Sequence, residues 1–295
     1  MIGDVEWPKK EREVRNFCMD STIWDGVAFR DGDIVIGSYS KAGTTWTQQL
    51  AGQLLTEGDP EFDSSKATMW VELVFPPREE KLRVLEEQSS RRCMKTHLPV
   101  DALSLSPKAK YIYLVRDGRD VVWSFYNHHV ALKPESYEMF NGPTNPGPPF
   151  EPPVDDVRKY WRDWMDRDGH PLWPFWEHVR GWWSVRHLPN VKLLHFNDLK
   201  KDFDKEARGL ADFLGIPIKE DRWADIVDHC SLEWMRKTEK GGGFMEDGAF
   251  FRQGGVNGRW RDALTGAECE EYERRAVEEL GEQCAHWLAT GERLD

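Results

Sequence analysis

A short loop after the first apolar run carries residue types that hold an anionic group. Residues 34–48, IVIGSYSKAGTTWTQ, pass from a β-branched run into small residues and then toward a helix. Gly43 permits close approach of the backbone to a ligand. Thr44 and Thr45 add hydroxyl donors, and Lys41 adds a mobile charge. Such donors at a helix N-terminus suit a phosphate or sulfate group, whereas the alternative is an ordinary turn with a solvated lysine.

The order of residues in this loop differs from that of a nucleotide triphosphatase. Such an enzyme places its lysine after the last glycine and follows it with a Ser or Thr that holds Mg²⁺. Here Lys41 precedes Gly43. We therefore expect a P-loop-like site that works without a metal, rather than a magnesium-assisted kinase.

A second strand-to-helix junction, YLVRDGRDVVWSFYNHH, carries an arginine and a hydroxyl group. Arg116 ends the strand, and Ser124 follows eight residues later in the first turns of the helix. A guanidinium fork beside a hydroxyl can hold a second phosphate group. An ion pair between Arg116 and Asp120 is the alternative interpretation.

The segment MKTHLP places a base beside a cation. Lys95 and His97 are two residues apart on a short strand, so their side chains point to one face of the sheet. The alternative is a purely structural histidine. A histidine beside a lysine at the carboxyl end of a strand favours catalysis over that alternative.

These segments require an α/β fold to bring them together. Apolar runs predict strands, and 3.6-residue periodicity predicts helices between them. Strands that alternate with helices indicate a central parallel sheet flanked by helices on both faces. The expected strands are 33–39, 92–96, 110–116 and 191–196, and the expected helices are 44–57, 120–131, 203–214 and 265–288.

Two stretches are rich in turn-forming residues. Residues 134–153 have too much proline and glycine for regular structure, and we interpret them as a lid insertion in a single domain that spans residues 1–295. Residues 239–260 are glycine-rich with interleaved aromatic side chains.

Composition limits the partners and the compartment. A net charge of −12 over 295 residues argues against nucleic acid or an anionic membrane surface as a partner. No run of about 18 apolar residues occurs, so we expect no membrane span. The 5 cysteines are odd in number and lack metal-type pairing, which predicts free thiols in a cytoplasmic protein. Composition leaves the oligomeric state open.

The three site segments together resemble the cytosolic sulfotransferase family, which uses 3′-phosphoadenosine 5′-phosphosulfate. YSKAGTTW is similar to the family's 5′-phosphosulfate loop, VRDGRDVVWSFY to its 3′-phosphate motif and KTHLP to its catalytic-histidine segment. FFRQGGVNGRW resembles its late glycine motif, and WEHVRGWW resembles a family helix. The order and spacing match from about residue 24 to residue 260.

The resemblance implies a role for each matching residue. His97 is then the general base, and Lys41 and Lys95 stabilise charge that develops during sulfuryl transfer. Trp46 stacks on adenine, with a core tryptophan as the alternative. The implied cofactor-binding residues are Lys41, Ala42, Gly43, Thr44, Thr45, Trp46, Arg116, Ser124, Phe196, Cys230, Leu232, Arg252, Gln253 and Gly254.

The chain departs from the family pattern at several of these positions. Phe196 stands where the family often has a tyrosine, Gln253 replaces a common lysine, and Leu232 replaces a usual phenylalanine. Cys230 and Leu232 are alternatively plain core residues. The segment RDALTGAECE, residues 261–270, only faintly resembles the family's dimer motif.

The expected acceptor is a small apolar or aromatic molecule with a hydroxyl group. It would enter near His97 between residues 70–77, the lid and residues 244–251. The aromatic candidates are Trp70, Phe75, Phe140, Phe150, Phe244 and Phe250. Two other functions remain open at this point: a nucleotide kinase, and a non-catalytic module that senses adenosine 3′,5′-bisphosphate.

Overall fold

The computed structural model describes residues 7–143, 145–238, 244–245, 248–249, 251 and 254–294. Five strands form the sheet: β1 (Ile34–Ser38), β2 (Thr68–Trp70), β3 (Cys93–Thr96), β4 (Lys110–Val115) and β5 (Val191–His195). The helices are α1 (Thr44–Leu55), α2 (Ser64–Ala67), α3 (Arg78–Glu87), α4 (Gly118–Val130), α5 (Pro134–Phe140), α6 (Val157–Asp166), α7 (Phe175–Ser184), α8 (Phe196–Lys201), α9 (Phe203–Leu214), α10 (Glu220–His229), α11 (Leu232–Thr238), α12 (Gly266–Leu280) and α13 (Glu282–Thr290). Short 3₁₀ turns lie at Ser21–Gly26, Val100–Ala102 and Arg259–Asp262.

The sheet is parallel and has the strand order β2-β3-β1-β4-β5. Strand β1 is central, with β3 on one side and β4 on the other. Strands β2 and β3 lie on one side of β1, and the later strands β4 and β5 lie on the other, so β1 is at a topological switch point. Open α/β sheets bind ligands beyond the carboxyl ends of the strands at such a point. Three predicted site segments leave the sheet here, directly after β1, at the end of β3 and directly after β4.

Apolar side chains alternate along the strands and build a core on each face of the sheet. Val35, Met94 and Tyr111 pack with tryptophans of α6 and α7 on one face. Ile36 and Ile112 pack with α1, α9 and α10 on the other. This arrangement confirms the predicted parallel sheet with helices on both faces.

One glycine in β1 is required by the packing of α7. A Cβ atom built on Gly37 would lie 2.7 Å from Cζ2 of Trp182, a side chain that is fully buried. The Trp182 indole also stacks on Tyr113 of β4, with ring centroids 5.0 Å apart. Its close approach fixes α7 against the sheet behind the site.

The predicted element bounds differ from the structure in several places. Strand β2 was not predicted because three residues are too short for a periodic pattern. Residues 134–140 were expected to be irregular but form α5, in which Pro134 occupies an N-terminal position where its missing N–H costs nothing. The last helix was expected to be continuous, but Gly281 (φ 75°, ψ 161°) separates α12 from α13. Among the described residues, no helix is both long and apolar enough to cross a membrane.

Candidate active site

A cavity of about 580 Å³ opens at the carboxyl ends of the central strands. Most of the predicted site residues line it. They are Lys41, Gly43, Thr44, Thr45, Trp46, Lys95, His97, Arg116, Ser124, Phe196, Cys230, Leu232 and Gly254. Ala42 is buried within the loop, with its N–H donated to the Tyr39 carbonyl at 3.3 Å. Arg252 and Gln253 lie outside the described residues.

The loop after β1 is shaped by left-handed backbone. Lys41 has φ 67° and Gly43 has φ 112°, and helix α1 begins immediately afterwards at Thr44. The first N–H groups of a helix have no partner within it and carry partial positive charge. The Thr44 hydroxyl is 2.5 Å from the Ser38 hydroxyl, which anchors the helix start to the end of β1. The loop therefore presents N–H and hydroxyl donors to the cavity.

Lys41 reaches across the cavity to α4. Its Nζ lies 3.2 Å from Nδ1 of His128. Burial, followed by the charge of Lys41, holds the pKa of His128 well below its ordinary value. A neutral imidazole accepts a hydrogen bond from the ammonium group, so His128 orients the Lys41 charge.

Arg116 is held in place by the segment that follows the glycine motif. Its Nε and Nη2 donate to Oδ1 of Asn257 at 2.9 and 2.6 Å, and its guanidinium lies 4.6 Å from the centroid of the Phe196 ring. The Asp120 carboxylate instead accepts the N–H of Gly258 at 2.7 Å. The Asp120 charge is nevertheless the largest influence that raises the pKa of Arg116 against the effect of burial, so the ion-pair alternative stays open. Gly254 and Ser124 line the same cavity as Arg116.

Trp46, Cys230, Leu232 and Phe196 line the cavity beyond this arginine. The Trp46 indole donates to the Cys230 carbonyl at 2.9 Å and stacks on Phe203, with centroids 5.7 Å apart. One side of Trp46 therefore belongs to the core while the residue also borders the cavity. Leu232 is 37% exposed, so a purely core role is excluded for it.

His97 follows the end of β3 and has a defined tautomer. Its Nδ1 lies 2.6 Å from the backbone carbonyl of Ser38, which can only accept, so Nδ1 carries the proton. The other ring nitrogen, Nε2, therefore keeps its lone pair. Burial, then the charge of Lys95, lowers the pKa of His97 well below its ordinary value. The imidazole is neutral near pH 7 and can act as a base.

Lys95 lies on β3 beside this histidine. Its ammonium nitrogen is 4.4 Å from the centroid of the Trp70 ring. Burial lowers the pKa of Lys95 to about 8, and the negative charge of Glu72 opposes this lowering. Lys95 is therefore still largely protonated near pH 7.

Part of the cavity wall is aromatic. Of the predicted acceptor residues, Trp70, Phe140, Phe150 and Phe244 line it. Phe75 packs on Phe140 and Phe244 with centroid distances of 5.7 and 5.4 Å and supports that wall from behind. Phe250 lies outside the described residues.

Several lining residues were not predicted. His128 follows Ser124 by four residues, and Lys200 follows Phe196 by four, so helical spacing could have indicated both. The Lys200 Nζ donates to the Gly255 carbonyl at 3.1 Å. Phe17, Phe125, Leu172 and Trp173 also line the cavity, and no local pattern distinguishes them from core residues.

Comparison with known proteins identifies the family. A family model described as a sulfotransferase domain matches residues 31–283. A glycolipid sulfotransferase of Mycobacterium bovis (strain BCG / Pasteur 1173P2) is 31% identical over 98% of this chain and 97% of its own. Human sulfotransferase 1E1 is 30% identical over 96% of this chain and 97% of its own.

Solved structures share the fold. Mouse sulfotransferase SULT7A1 complexed with PAP has a TM-score of 0.66 at 21% identity, covering 90% of this chain and 91% of that one. A retinol dehydratase in complex with retinol and PAP has a TM-score of 0.69 at 23% identity, covering 93% and 86%. The family match extends over all the motifs that border the cavity, and the chain belongs to the sulfotransferase family.

Proposed function

We propose that this enzyme transfers a sulfuryl group from 3′-phosphoadenosine 5′-phosphosulfate to a hydroxyl group of a small apolar or aromatic acceptor. The observation that carries the proposal is the hydrogen bond between His97 Nδ1 and the Ser38 carbonyl, because it leaves Nε2 as a base. Relatives described as glycolipid sulfotransferases and solved relatives in complexes with PAP, adenosine 3′,5′-bisphosphate, support the same reaction class.

The residues around the cavity fit a nucleotide that carries two anionic groups. Lys41, Thr44 and Thr45 would hold the 5′-phosphosulfate, together with the free N–H groups of α1. Arg116 and Ser124, with Arg252 and the backbone of Gln253 and Gly254, would hold the 3′-phosphate. Trp46, Phe196, Cys230 and Leu232 would surround the adenine.

The bound cofactor supplies an activated sulfuryl group, and the protein supplies a base and positive charge. His97 Nε2 takes the proton of the acceptor hydroxyl, a contribution of about 10²–10⁴-fold for general-base catalysis. Lys41 and Lys95 place two ammonium groups where negative charge develops. Negative charge that grows during the reaction strengthens its attraction to both lysines, so their charges accelerate the reaction beyond simple binding.

The aromatic part of the cavity supports an apolar acceptor. Trp70, Phe140, Phe150 and Phe244 offer flat apolar surface in the same cavity as His97, and apolar surface contributes roughly 25 cal/mol for each Å² that is buried. A phenol, a ring-bearing alcohol or the apolar part of a larger hydroxyl compound meets this requirement. The five cysteines carry free thiols, which supports the proposal that the protein acts in the cytoplasm.

Transfer of labelled sulfate from the donor to a panel of phenols, alcohols, amines and glycosides tests the function directly. We expect transfer to apolar hydroxyl compounds. Turnover of ATP with Mg²⁺ in place of sulfate transfer would favour the nucleotide kinase. Binding of adenosine 3′,5′-bisphosphate without transfer to any acceptor would favour the non-catalytic module.

Calorimetry with two nucleotides tests the 3′-phosphate site separately. We expect much tighter binding of adenosine 3′,5′-bisphosphate than of adenosine 5′-monophosphate, because a charge-assisted hydrogen bond contributes about 1.5–3 kcal/mol. Equal affinities would contradict the assignment of Arg116 and Ser124 to the 3′-phosphate.

A further inference from the structure

A fully buried carboxylate, Glu72, lies behind the two residues proposed to carry the chemistry. Its Oε1 accepts the Trp70 indole N–H at 2.6 Å and the backbone N–H of His97 at 2.6 Å. Its Oε2 accepts the Trp24 indole N–H at 3.0 Å. Three N–H donors directed at the two oxygens favour the ionised form of the group, since a carboxylate accepts at both oxygens whereas a protonated carboxyl carries a hydrogen on one of them.

The backbone around Glu72 is fixed from several directions. The Val71 N–H donates to the Lys95 carbonyl at 3.1 Å, which continues the pairing of β2 with β3. The Glu72 carbonyl accepts the Asp20 N–H at 2.8 Å. Lys81 of α3 donates to the carbonyls on both sides, those of Val71 (at 2.7 Å) and Leu73. The carboxylate therefore has little freedom to leave its donors.

The Glu72 carboxylate is linked to His97 through the His97 backbone N–H and to Lys95 through the Trp70 indole. It holds the first peptide N–H after β3, which belongs to His97, and it orients the indole over which the Lys95 ammonium lies. Charge matters as well as geometry. Burial lowers the pKa of Lys95, and the charge of Glu72 is the largest influence that raises it.

The other titratable groups near Lys95 and His97 come from several elements. Cys18, on the segment before β1, also opposes the fall in the Lys95 pKa. Lys41 and His178 join Lys95 in lowering the pKa of His97. Lys81 faces the same carboxylate from α3, and the charge of Glu72 raises its pKa against the effect of burial. Among these groups, Glu72 and the Cys18 thiol are the acidic ones that can become anionic.

We propose that Glu72 is a positioning residue for sulfuryl transfer: its carboxylate fixes the backbone of His97, holds the Trp70 indole under the Lys95 ammonium and attracts that ammonium electrostatically. The inference rests on the proposed function for its catalytic consequence. Its electrostatic part concerns only Lys95 and can be measured without cofactor or acceptor. Failure of the two proposals is thus distinguishable.

The direct test is titration of Lys95 in the parent and in Glu72→Gln. Protein labelled with ¹³C at lysine Cε reports each ammonium group by NMR, and the missing resonance in Lys95→Gln assigns the signal. We expect the Lys95 midpoint in Glu72→Gln to fall by about one pH unit, because the nearby opposite charge is gone. Asp168→Asn removes a half-buried carboxylate that accepts the N–H groups of Phe175 and Trp176, and it should leave the midpoint unchanged.

The pH dependence of turnover tests the catalytic part. A lower pKa removes the Lys95 charge at lower pH, so the alkaline limb of kcat should move toward neutral pH in Glu72→Gln. Affinity for adenosine 3′,5′-bisphosphate should stay near the parental value, because Glu72 does not line the cavity. A parental midpoint and a parental alkaline limb in the folded variant would overturn the proposal. A parent that transfers no sulfate would refute the proposed function but leave the NMR titration decisive for Glu72.

Trp24→Phe provides a second variant if Glu72→Gln does not fold. It removes one donor from the carboxylate and keeps an aromatic ring, and Trp24 does not line the cavity. Loss of this donor favours the protonated carboxyl, so the Lys95 midpoint should fall in the same direction but by less. An unchanged midpoint together with an unchanged pH profile in Trp24→Phe would contradict the role of Glu72.

Discussion

A single backbone carbonyl decides which nitrogen of His97 carries a proton. Ser38 lies at the end of β1, and its carbonyl lies 2.6 Å from His97 Nδ1. Because β1 and β3 are paired in parallel, the sheet itself places this backbone acceptor beside the His97 imidazole. At the residue scale, the Nε2 lone pair that the proposed mechanism requires is therefore available before any ligand is bound.

The variant His97→Asn tests this base. It should fold normally and bind adenosine 3′,5′-bisphosphate nearly as well as the parent, because the proposed role of the imidazole concerns the acceptor. Transfer to an aliphatic alcohol should fall by at least about 10²-fold, the lower end of general-base contributions. An acidic phenol should lose less, since part of it is already ionised. Comparable turnover of the alcohol by parent and variant would return His97 to a structural role.

At the scale of elements, the junction between β1 and α1 determines the geometry of the proposed anion site. Gly43 has φ 112°, where a side chain is strained, and a Cβ atom there would lie 2.7 Å from the Phe196 ring. The loop after β1 thus lies close against the Phe196 ring at the start of α8. Glycine at this position is therefore required by two separate constraints.

Gly43→Ala should lower the free energy of unfolding by about 1–3 kcal/mol, the cost of strained backbone. It should also weaken binding of adenosine 3′,5′-bisphosphate, because the N–H groups that follow Gly43 shift with the loop. Gly215→Ala is the matched control: Gly215 also has positive φ, at 66°, but no atom lies within 4 Å of the added Cβ. Denaturant titration and calorimetry should show a stability loss in both variants and a binding loss only in Gly43→Ala. Parental binding by Gly43→Ala would contradict this account of the loop.

Helix α8 carries a cation that the sequence interpretation did not include. Lys200 is bonded to Gly255, next to the segment that holds Arg116, and it borders the cavity. We expect Lys200→Ala to weaken binding of adenosine 3′,5′-bisphosphate about two- to fivefold, which is the modest effect of an exposed charge. The neighbouring Lys201→Ala is the control. Equal affinities for the parent and both variants, measured at low salt, would remove Lys200 from the site.

At the scale of the whole molecule, several histidines lie in buried surroundings. The pKa values of His97, His128, His129, His178 and His195 are all lowered, with burial as the largest cause. The unfolded chain titrates its histidines near pH 6.5. As the pH is lowered through that value, the histidines of the unfolded state bind protons while those of the folded state stay neutral. The free energy of unfolding therefore decreases as the pH decreases.

We therefore expect the melting temperature to fall between about pH 7.5 and pH 5.5, the window in which unfolded histidines become charged. The buried Glu72 and Asp120 and the half-buried Asp168 have raised pKa values and act in the opposite direction, but they are fewer. Thermal unfolding followed by circular dichroism at a fixed ionic strength measures the difference. A melting temperature that rises on acidification would show that the carboxyl groups outweigh the histidines.

The sequence by itself determined the fold class and, together with the family resemblance that its motifs carry, most of the cavity lining. Spacing within one segment, such as Arg116 to Ser124 or Lys95 to His97, is local, and the periodicity of the surrounding residues predicts the element that carries it. The parallel sheet then brings the carboxyl ends of its strands to one edge. Helix α9 has the predicted bounds. The predicted bounds of β3, β4 and β5 differ from the observed ones by one residue at one end, and those of β1 by one residue at each end.

Only the tertiary structure decided which distant residues support the site. The Arg116 partner, Asn257, is 141 residues away in the chain, and Glu72 is separated from His97 by 25 residues. No local period links such positions, because their contact depends on the order of strands in the sheet and on loops that return to its edge. The same limit applies to the aromatic residues: Phe75 and Phe140 have equal propensities, yet packing puts Phe140 in the cavity wall and Phe75 behind it.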